Sequence, residues 1–183
     1  LFDWWSHFYD GPLVQRLTYQ PEQDAVLREL RQVATGRVLD VGCGTGRLTT
    51  RIRRELQPTA TFGCDFSDGM LQQAARRDPE LPWVRGNALQ LPFADQSFCA
   101  AVSTESFHWF PEPGTALAEF YRVLEPKGRL LVALVNPPTE WLSRATRLGS
   151  KLIGEPLRWP TRTRLRQQFE ATGFRVDSQR AIF

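Results

Sequence analysis

Arg37-Val38-Leu39-Asp40-Val41-Gly42-Cys43-Gly44-Thr45-Gly46 decides the reading of this chain. Residues 37–41 are short, apolar and preceded by Gly36, the pattern of a strand buried on both faces in a parallel sheet. Three glycines in five residues then let the backbone turn sharply and approach a ligand. A helical stretch follows, with Leu48, Ile52 and Leu56 at helical spacing. A dinucleotide fingerprint, G-x-G-x-x-G, would need glycine at position 47, which is Arg47. The loop also lacks the G-x-x-x-x-G-K-[ST] pattern of a phosphate cradle.

Working outward, strand and helix signals alternate. Pro21 to Ala34 predicts a helix stopped by Gly36, and Thr59 to Cys64 a second strand. Met70 to Arg77 predicts a helix, Trp83 to Arg85 a third strand, Phe98 to Ser103 a fourth and Thr115 to Leu124 a helix. Arg129 to Val135 predicts a fifth strand, Thr163 to Thr172 a helix stopped by Gly173, and Phe174 to Phe183 an extended stretch. This alternation predicts an α/β fold: a doubly wound, mostly parallel sheet in a three-layer α/β/α arrangement, strand order 3-2-1-4-5. A ligand would lie across the carboxyl ends of strands 1, 2 and 4, where the strand order reverses. Asp65, 23 residues after Gly42, closes the second strand, where a carboxylate can accept both hydroxyls of a ribose.

Bulk properties agree with one domain. The chain has 183 residues, 42% hydrophobic and 23% charged, with no run apolar enough to span a membrane and no signal-peptide pattern. A cytoplasmic location is expected. The chain begins with Leu1, which leaves room for residues ahead of it. Cys43, Cys64 and Cys99 lack metal-ligand spacing and read as buried core residues. No metal is expected. The net charge of +3 is uneven. Between Arg144 and Arg166 seven basic residues face Glu155 alone, so that stretch carries +6 and the rest of the chain −3.

Four stretches in register resemble the class I S-adenosylmethionine-dependent methyltransferases, specifically the group containing the ubiquinone and menaquinone C-methyltransferases (the type 11 methyltransferase domain). They are VLDVGCGTG at 38–46, GCDFSDGML at 63–71, GNALQLPFADQSF at 86–98 and EFYRVLEPKGRL at 119–130. The resemblance implies S-adenosylmethionine as cofactor. It implies that Gly42, Cys43, Gly44 and Gly46 hold its methionine part, with Asp40 organising the ammonium. Asp65 would bind the ribose diol, and Phe66 and Met70 would pack on the adenine. Asn87 and Ala88 would meet the adenine edge, and Ser103 and Thr104 would lie near the sulfonium. The cofactor carries an ammonium, a sulfonium and a diol but no phosphate, so an acidic strand end suits it better than a phosphate cradle. The chain departs from the family in four ways. Asn87 stands where Asp is usual, SFC ends in Cys99 instead of Asp, and Pro126-Lys127-Gly128 replaces Pro-Gly-Gly. Lys127 is unfavourable at positive φ, so a different turn type is expected there. The chain also stops after one extended stretch where the family ends in a strand pair, so the final strand is absent, displaced or cut short.

Four segments follow: an aromatic N-terminal cap at 1–20, a cofactor-binding core at 21–135, a basic amphipathic insertion at 136–160, and a C-terminal helix and strand at 161–183. The cap, with Phe2, Trp4, Trp5, Phe8 and Tyr9, reads either as a lid and substrate wall or as a helix covering core. Tyr9 with Asp10 resembles a pair near the start of the family. His108, in SFHWF, is the candidate general base or a structural contact on the site rim; His7 is a weaker candidate. Tyr9, Trp109 and Trp141 are candidate substrate contacts, and Trp4, Trp5 and Phe107 add to an aromatic acceptor preference. From Trp141 to Ile153 apolar residues share one face, with Arg144, Arg147 and Lys151 on its flank. Three readings are open for that helix: a surface helix packing on core, a mobile lid that admits a hydrophobic or anionic acceptor and can also rest on anionic lipid, or a contact for nucleic acid or a protein partner. Asn136-Pro137-Pro138 is similar to the N-P-P of amino-methylating nucleic-acid enzymes, but it follows the fifth strand and ends in Thr139, so nucleic acid is not expected. The expected function is methylation of a small hydrophobic or aromatic acceptor. The rivals are N- or O-methylation of a polar or lipid-headgroup acceptor, and a non-catalytic cofactor-binding subunit.

Overall fold

Each buried strand of this chain feeds a helix that packs back on the sheet, and parallel pairing follows from that connection. The computed structural model describes residues 19–134 and 160–181. The elements are α1 (Gln20–Leu30), β1 (Arg37–Val41), α2 (Arg47–Leu56), β2 (Ala60–Asp65), α3 (Asp68–Arg77), β3 (Trp83–Arg85), β4 (Phe98–Thr104), α4 (Pro113–Val123), β5 (Leu124–Ala133) and α5 (Arg162–Ala171), with a 3-10 turn at Phe107–Trp109. The sheet has order β3-β2-β1-β4-β5 and every pairing is parallel. It is the order the sequence predicts. No helix among the described residues is long and apolar enough to cross a membrane.

The central strands send alternate side chains to two cores. Val38, Ala100 and Val102 meet Val26, Leu27 and Leu30 of α1 and Leu48 and Ile52 of α2 on one face. Leu39, Val41 and Ala101 meet Ala116, Phe120 and Val123 of α4 on the other. Phe107, Leu117 and Leu165 form a third cluster that docks α5 beside α4. α1 runs back against β1, so its first turn stands at the carboxyl ends of the strands.

Caps move the helix boundaries. Ser67 Oγ accepts the Met70 N–H (3.2 Å), so α3 begins two residues before Met70. α1 ends at Leu30 because the Val33 and Ala34 N–H groups both turn back onto the Leu30 carbonyl. α4 starts at Pro113, whose missing N–H costs nothing at a first position.

Two expectations are corrected. Lys127 does adopt positive φ (68°), so the turn keeps the left-handed residue that glycine would supply more cheaply. β5 thus begins at Leu124, directly after α4, rather than at Arg129. Residues 174–181 are extended but join no strand. Side chains tie them down instead: Arg129 to Asp177 (2.6 Å), Arg180 to Glu29 (3.0 Å), and Gln179 to the Arg162 carbonyl (2.8 Å). The expected C-terminal strand is therefore not formed among the described residues.

Candidate functional site

At the end of β1, Asp40 is 1% exposed, and its Oδ2 accepts the Thr49 hydroxyl at 2.7 Å. Its Oδ1 is buried with no hydrogen-bond partner. Burial, aided by the charge of Asp65, pushes the carboxyl up to about 7. A buried acceptor left half-satisfied is costly, and a cation on Oδ1 would relieve that cost.

The glycine loop is fastened to β2. Gly42 and Cys43 N–H both donate to the Cys64 carbonyl (2.8 and 3.1 Å), and Gly44 N–H donates to Asp65 Oδ2 (2.8 Å). Two glycines serve packing inside the protein. Gly42 (φ 72°) lies against Ser106, and Gly46 (φ 75°) against the Trp83 ring, so a Cβ at either would collide. Gly44 is different: among the described residues a Cβ there would meet only Met70 Sδ, at 4.0 Å, which leaves room on that side. Asp65 Oδ1 accepts the Ser67 N–H (2.9 Å). Each of its oxygens thus holds one backbone donor.

Past β2, Phe66 is 67% exposed, a large apolar ring in solvent, with the Arg85 guanidinium 5.9 Å from its centroid. Met70 is buried beneath it in the first turn of α3. Asn87 is exposed; its Oδ1 already accepts the Leu89 N–H (2.9 Å), and Ala88 beside it is buried. Arg122 clamps this segment by donating to the carbonyls of Leu91 (2.9 Å) and Phe93 (2.8 Å) while pairing with Glu119 (2.7 Å). Glu119 in turn accepts the Leu91 N–H (2.7 Å). Helix α4 therefore positions the loop that follows β3.

At the end of β4, Ser103 is fully buried and its hydroxyl meets Ser106 Oγ at 2.6 Å. Ser106 donates to the Val41 carbonyl (3.1 Å), a tie between β4 and the glycine loop. Thr104 is half-buried, and Glu105 follows it at φ 48° with its N–H on the Ala133 carbonyl (2.8 Å). His108 lies in the 3-10 turn, buried, its ring 5.3 Å from Trp109. Burial lowers it to about 4, so it is neutral at physiological pH and a weak base. Phe107, expected toward the acceptor, is instead buried in the third cluster.

The structure thus brings Asp40, the loop 42–46, Asp65, Phe66, Met70, Thr104 and Trp109 to one end of the sheet. Tyr9, Trp141, His7, the aromatic cap and the basic helix 141–153 lie outside the described residues. Cys43 and Cys64 are buried, and burial beside Asp65 and Asp40 pushes the Cys64 thiol up to about 12. Both are core residues, as the sequence suggests, whereas Cys99, expected to be buried with them, is only partly buried against the core. Among the described residues no three His, Cys, Asp or Glu side chains group as a metal site.

Two residues escape the sequence reading. Ser106 carries no motif signal. Glu22 had one: with Val26 and Leu30 it forms a stripe at i, i+4, i+8 on the core face of α1. Glu22 is 5% exposed, Oε1 lacks a partner, and burial with the charge of Glu105 pushes the carboxyl up to about 8.

Known proteins bear on this arrangement. The family model described as a methyltransferase domain matches residues 39–132. The phthiotriol/phenolphthiotriol dimycocerosates methyltransferase 1 of Mycobacterium ulcerans is 32% identical over 84% of this chain and 59% of its own length. A demethylmenaquinone methyltransferase of Deinococcus radiodurans is 32% identical over 76% of this chain and 68% of its own. An S-adenosylmethionine-dependent methyltransferase of Thermotoga maritima superposes with TM-score 0.76 at 26% identity, covering 96% of this chain and 80% of that one. The chain spans about three fifths of the Mycobacterium protein. With motif order, sheet topology and these matches in agreement, the chain belongs to the methyltransferase domain family.

Proposed function

We propose that this chain binds S-adenosylmethionine and transfers its methyl group to a small hydrophobic or aromatic acceptor. The observation that carries the cofactor reading is Asp40, a buried carboxylate in the strand that leads into the glycine loop, with one oxygen satisfied by Thr49 and the other unpartnered. That half-satisfied acid fits an ammonium and suits no phosphate. Asp65, at the end of β2, is the carboxylate that accepts the ribose diol, and its backbone donors hold it in place. Phe66 offers a ring face to the adenine, and Asn87 and Ala88 lie next along that edge. The cofactor, when bound, supplies a methyl group activated by a positively charged sulfur. The chain's contribution is to hold the acceptor in line with that group and keep water out.

The acceptor class rests on the names of the relatives, which act on menaquinone precursors and on lipid-like phenols and triols, and on Trp109 at the rim. His108 serves better as a neutral wall of the site than as its base, given how far burial lowers it. Calorimetry tests the cofactor: S-adenosylmethionine and S-adenosylhomocysteine bind, and NAD does not. NAD binding without an S-adenosylhomocysteine signal would refute the reading. Transfer of a labelled methyl group to a short-chain demethylmenaquinol, and none to phosphoethanolamine, tests the acceptor class; the reverse preference would refute it.

A further inference from the structure

α1 runs antiparallel to β1, and its Val26 and Leu30 pack over Ala100 and Val102 of β4. Glu22, one turn before Val26, therefore stands above the carboxyl end of β4. Its neighbour across the gap is Glu105, which follows Thr104 there in a left-handed conformation. Glu22 is thus a carboxyl 95% removed from solvent, with Oε1 unpartnered, at the end of the strand nearest the expected methyl-transfer point. Among the described residues, the charged groups of neighbouring elements are engaged elsewhere. Arg51 of α2 pairs with Asp24 (2.7 Å) and Glu55 (2.8 Å), Asp40 bonds Thr49, and His108 is neutral.

A buried acid beside a second acid is stable when it keeps a proton or when a cation arrives. We propose that Glu22 is the counter-charge of the sulfonium: its carboxyl holds a proton in the free protein and yields it when the methyl-bearing cation binds. The proposal rests on the cofactor reading above. It also implies a cycle. When the methyl carbon leaves and the C–S electron pair stays on sulfur, the cation disappears and the Glu22 carboxylate regains its affinity for a proton.

The test counts protons by titration calorimetry in two buffers of different ionisation enthalpy at pH 7.5. S-adenosylmethionine and S-adenosylhomocysteine both carry the ammonium that faces Asp40, so their difference isolates the sulfonium end. The ligands' own amino groups titrate alike against wild type and E22Q and cancel between the two proteins. A carboxyl titrating near 8 is about three-quarters protonated at pH 7.5. Wild type should therefore release up to about 0.7 proton more with S-adenosylmethionine than E22Q does, relative to S-adenosylhomocysteine. An opposite charge lowers a carboxyl by about 1–3 pKa units, which from a value near 8 is worth about threefold to two-hundredfold in affinity at pH 7.5, so the preference for the cationic ligand should fall about threefold or more in E22Q. S-adenosylhomocysteine affinity should stay near wild type, which shows that E22Q is folded. Equal proton counts in both proteins, or an unchanged preference, would overturn the proposal. Should E22Q fail to fold, E105Q replaces it: removing that negative neighbour lowers Glu22, so the extra release must shrink, and a wild-type count would overturn the proposal. If wild type binds neither ligand, the cofactor reading itself fails, a distinct result that takes this inference with it.

Discussion

Asp65→Ala removes a carboxylate with two duties. One is the proposed duty to the ligand, accepting both hydroxyls of a ribose. Hydrogen bonds to a charged group contribute about 1.5–3 kcal/mol each, so losing two costs about 3–6 kcal/mol if additive, or roughly 150-fold to 20,000-fold in Kd. The other is to the loop, because Asp65 holds the Gly44 N–H at 2.8 Å and the Ser67 N–H at 2.9 Å. Losing these frees Gly44, the one loop glycine with open space above it, so the binding face loosens as well. Water reaches the half-buried site and replaces part of what is lost, which favours the lower end of the affinity range. Asp65→Asn separates the duties. Its amide keeps one acceptor and turns the other into a donor, so it cannot serve both backbone N–H groups. The alanine variant should show at least a hundredfold weaker S-adenosylhomocysteine binding by calorimetry. It should also melt a few degrees lower, and the asparagine variant should fall between alanine and wild type in both measurements. Binding within threefold of wild type in Asp65→Ala would refute the assignment of this carboxylate to the ligand.

Asp40 and Glu22 predict an unusual pH response of the ligand-free protein. Both have native pKa values above their unfolded ones, so the native state binds more protons, and stability present at low pH is lost as pH rises from about 4 toward 7–8. Denaturant melts from pH 5 to 8 should lose up to about 2.5 kcal/mol for Asp40 and about 3.5 kcal/mol for Glu22, less where the site relaxes, and Asp40→Asn should flatten the slope. A stability that rises over that range would contradict it. Gly42→Ala should destabilise by the left-handed cost, about 1–2 kcal/mol, plus its collision with Ser106. Adding Ser106→Gly should recover part of the loss, and strict additivity in the double-mutant cycle would argue against the contact. Native alkylation should leave Cys43 and Cys64 unmodified, read by mass spectrometry, because burial holds both thiols protonated.

The linear chain determines its sheet almost completely. Apolar runs such as Val38 to Val41 and Phe98 to Val102, with glycine and proline between them, carry local information that survives any packing, so strand order follows from the alternation and the motif register. Family motifs likewise mark Asp40, Asp65 and the loop glycines. Tertiary structure alone decides how these residues are used. The three loop glycines look alike in sequence, yet Ser106 and Trp83, from distant elements, crowd the Cβ side of Gly42 and Gly46, whereas among the described residues Gly44 has only Met70 near it. Phe107 and Trp109 sit in one aromatic run, but packing against Leu117 and Leu165 buries the first and leaves the second partly exposed. Lys127 accepts a left-handed turn because β4 and α4 dictate the path between them, overriding its local preference. Glu22 is the sharpest case: its helical stripe is legible in the chain, but its proton affinity is set by burial and by Glu105, more than eighty residues away, because charge and desolvation act through space.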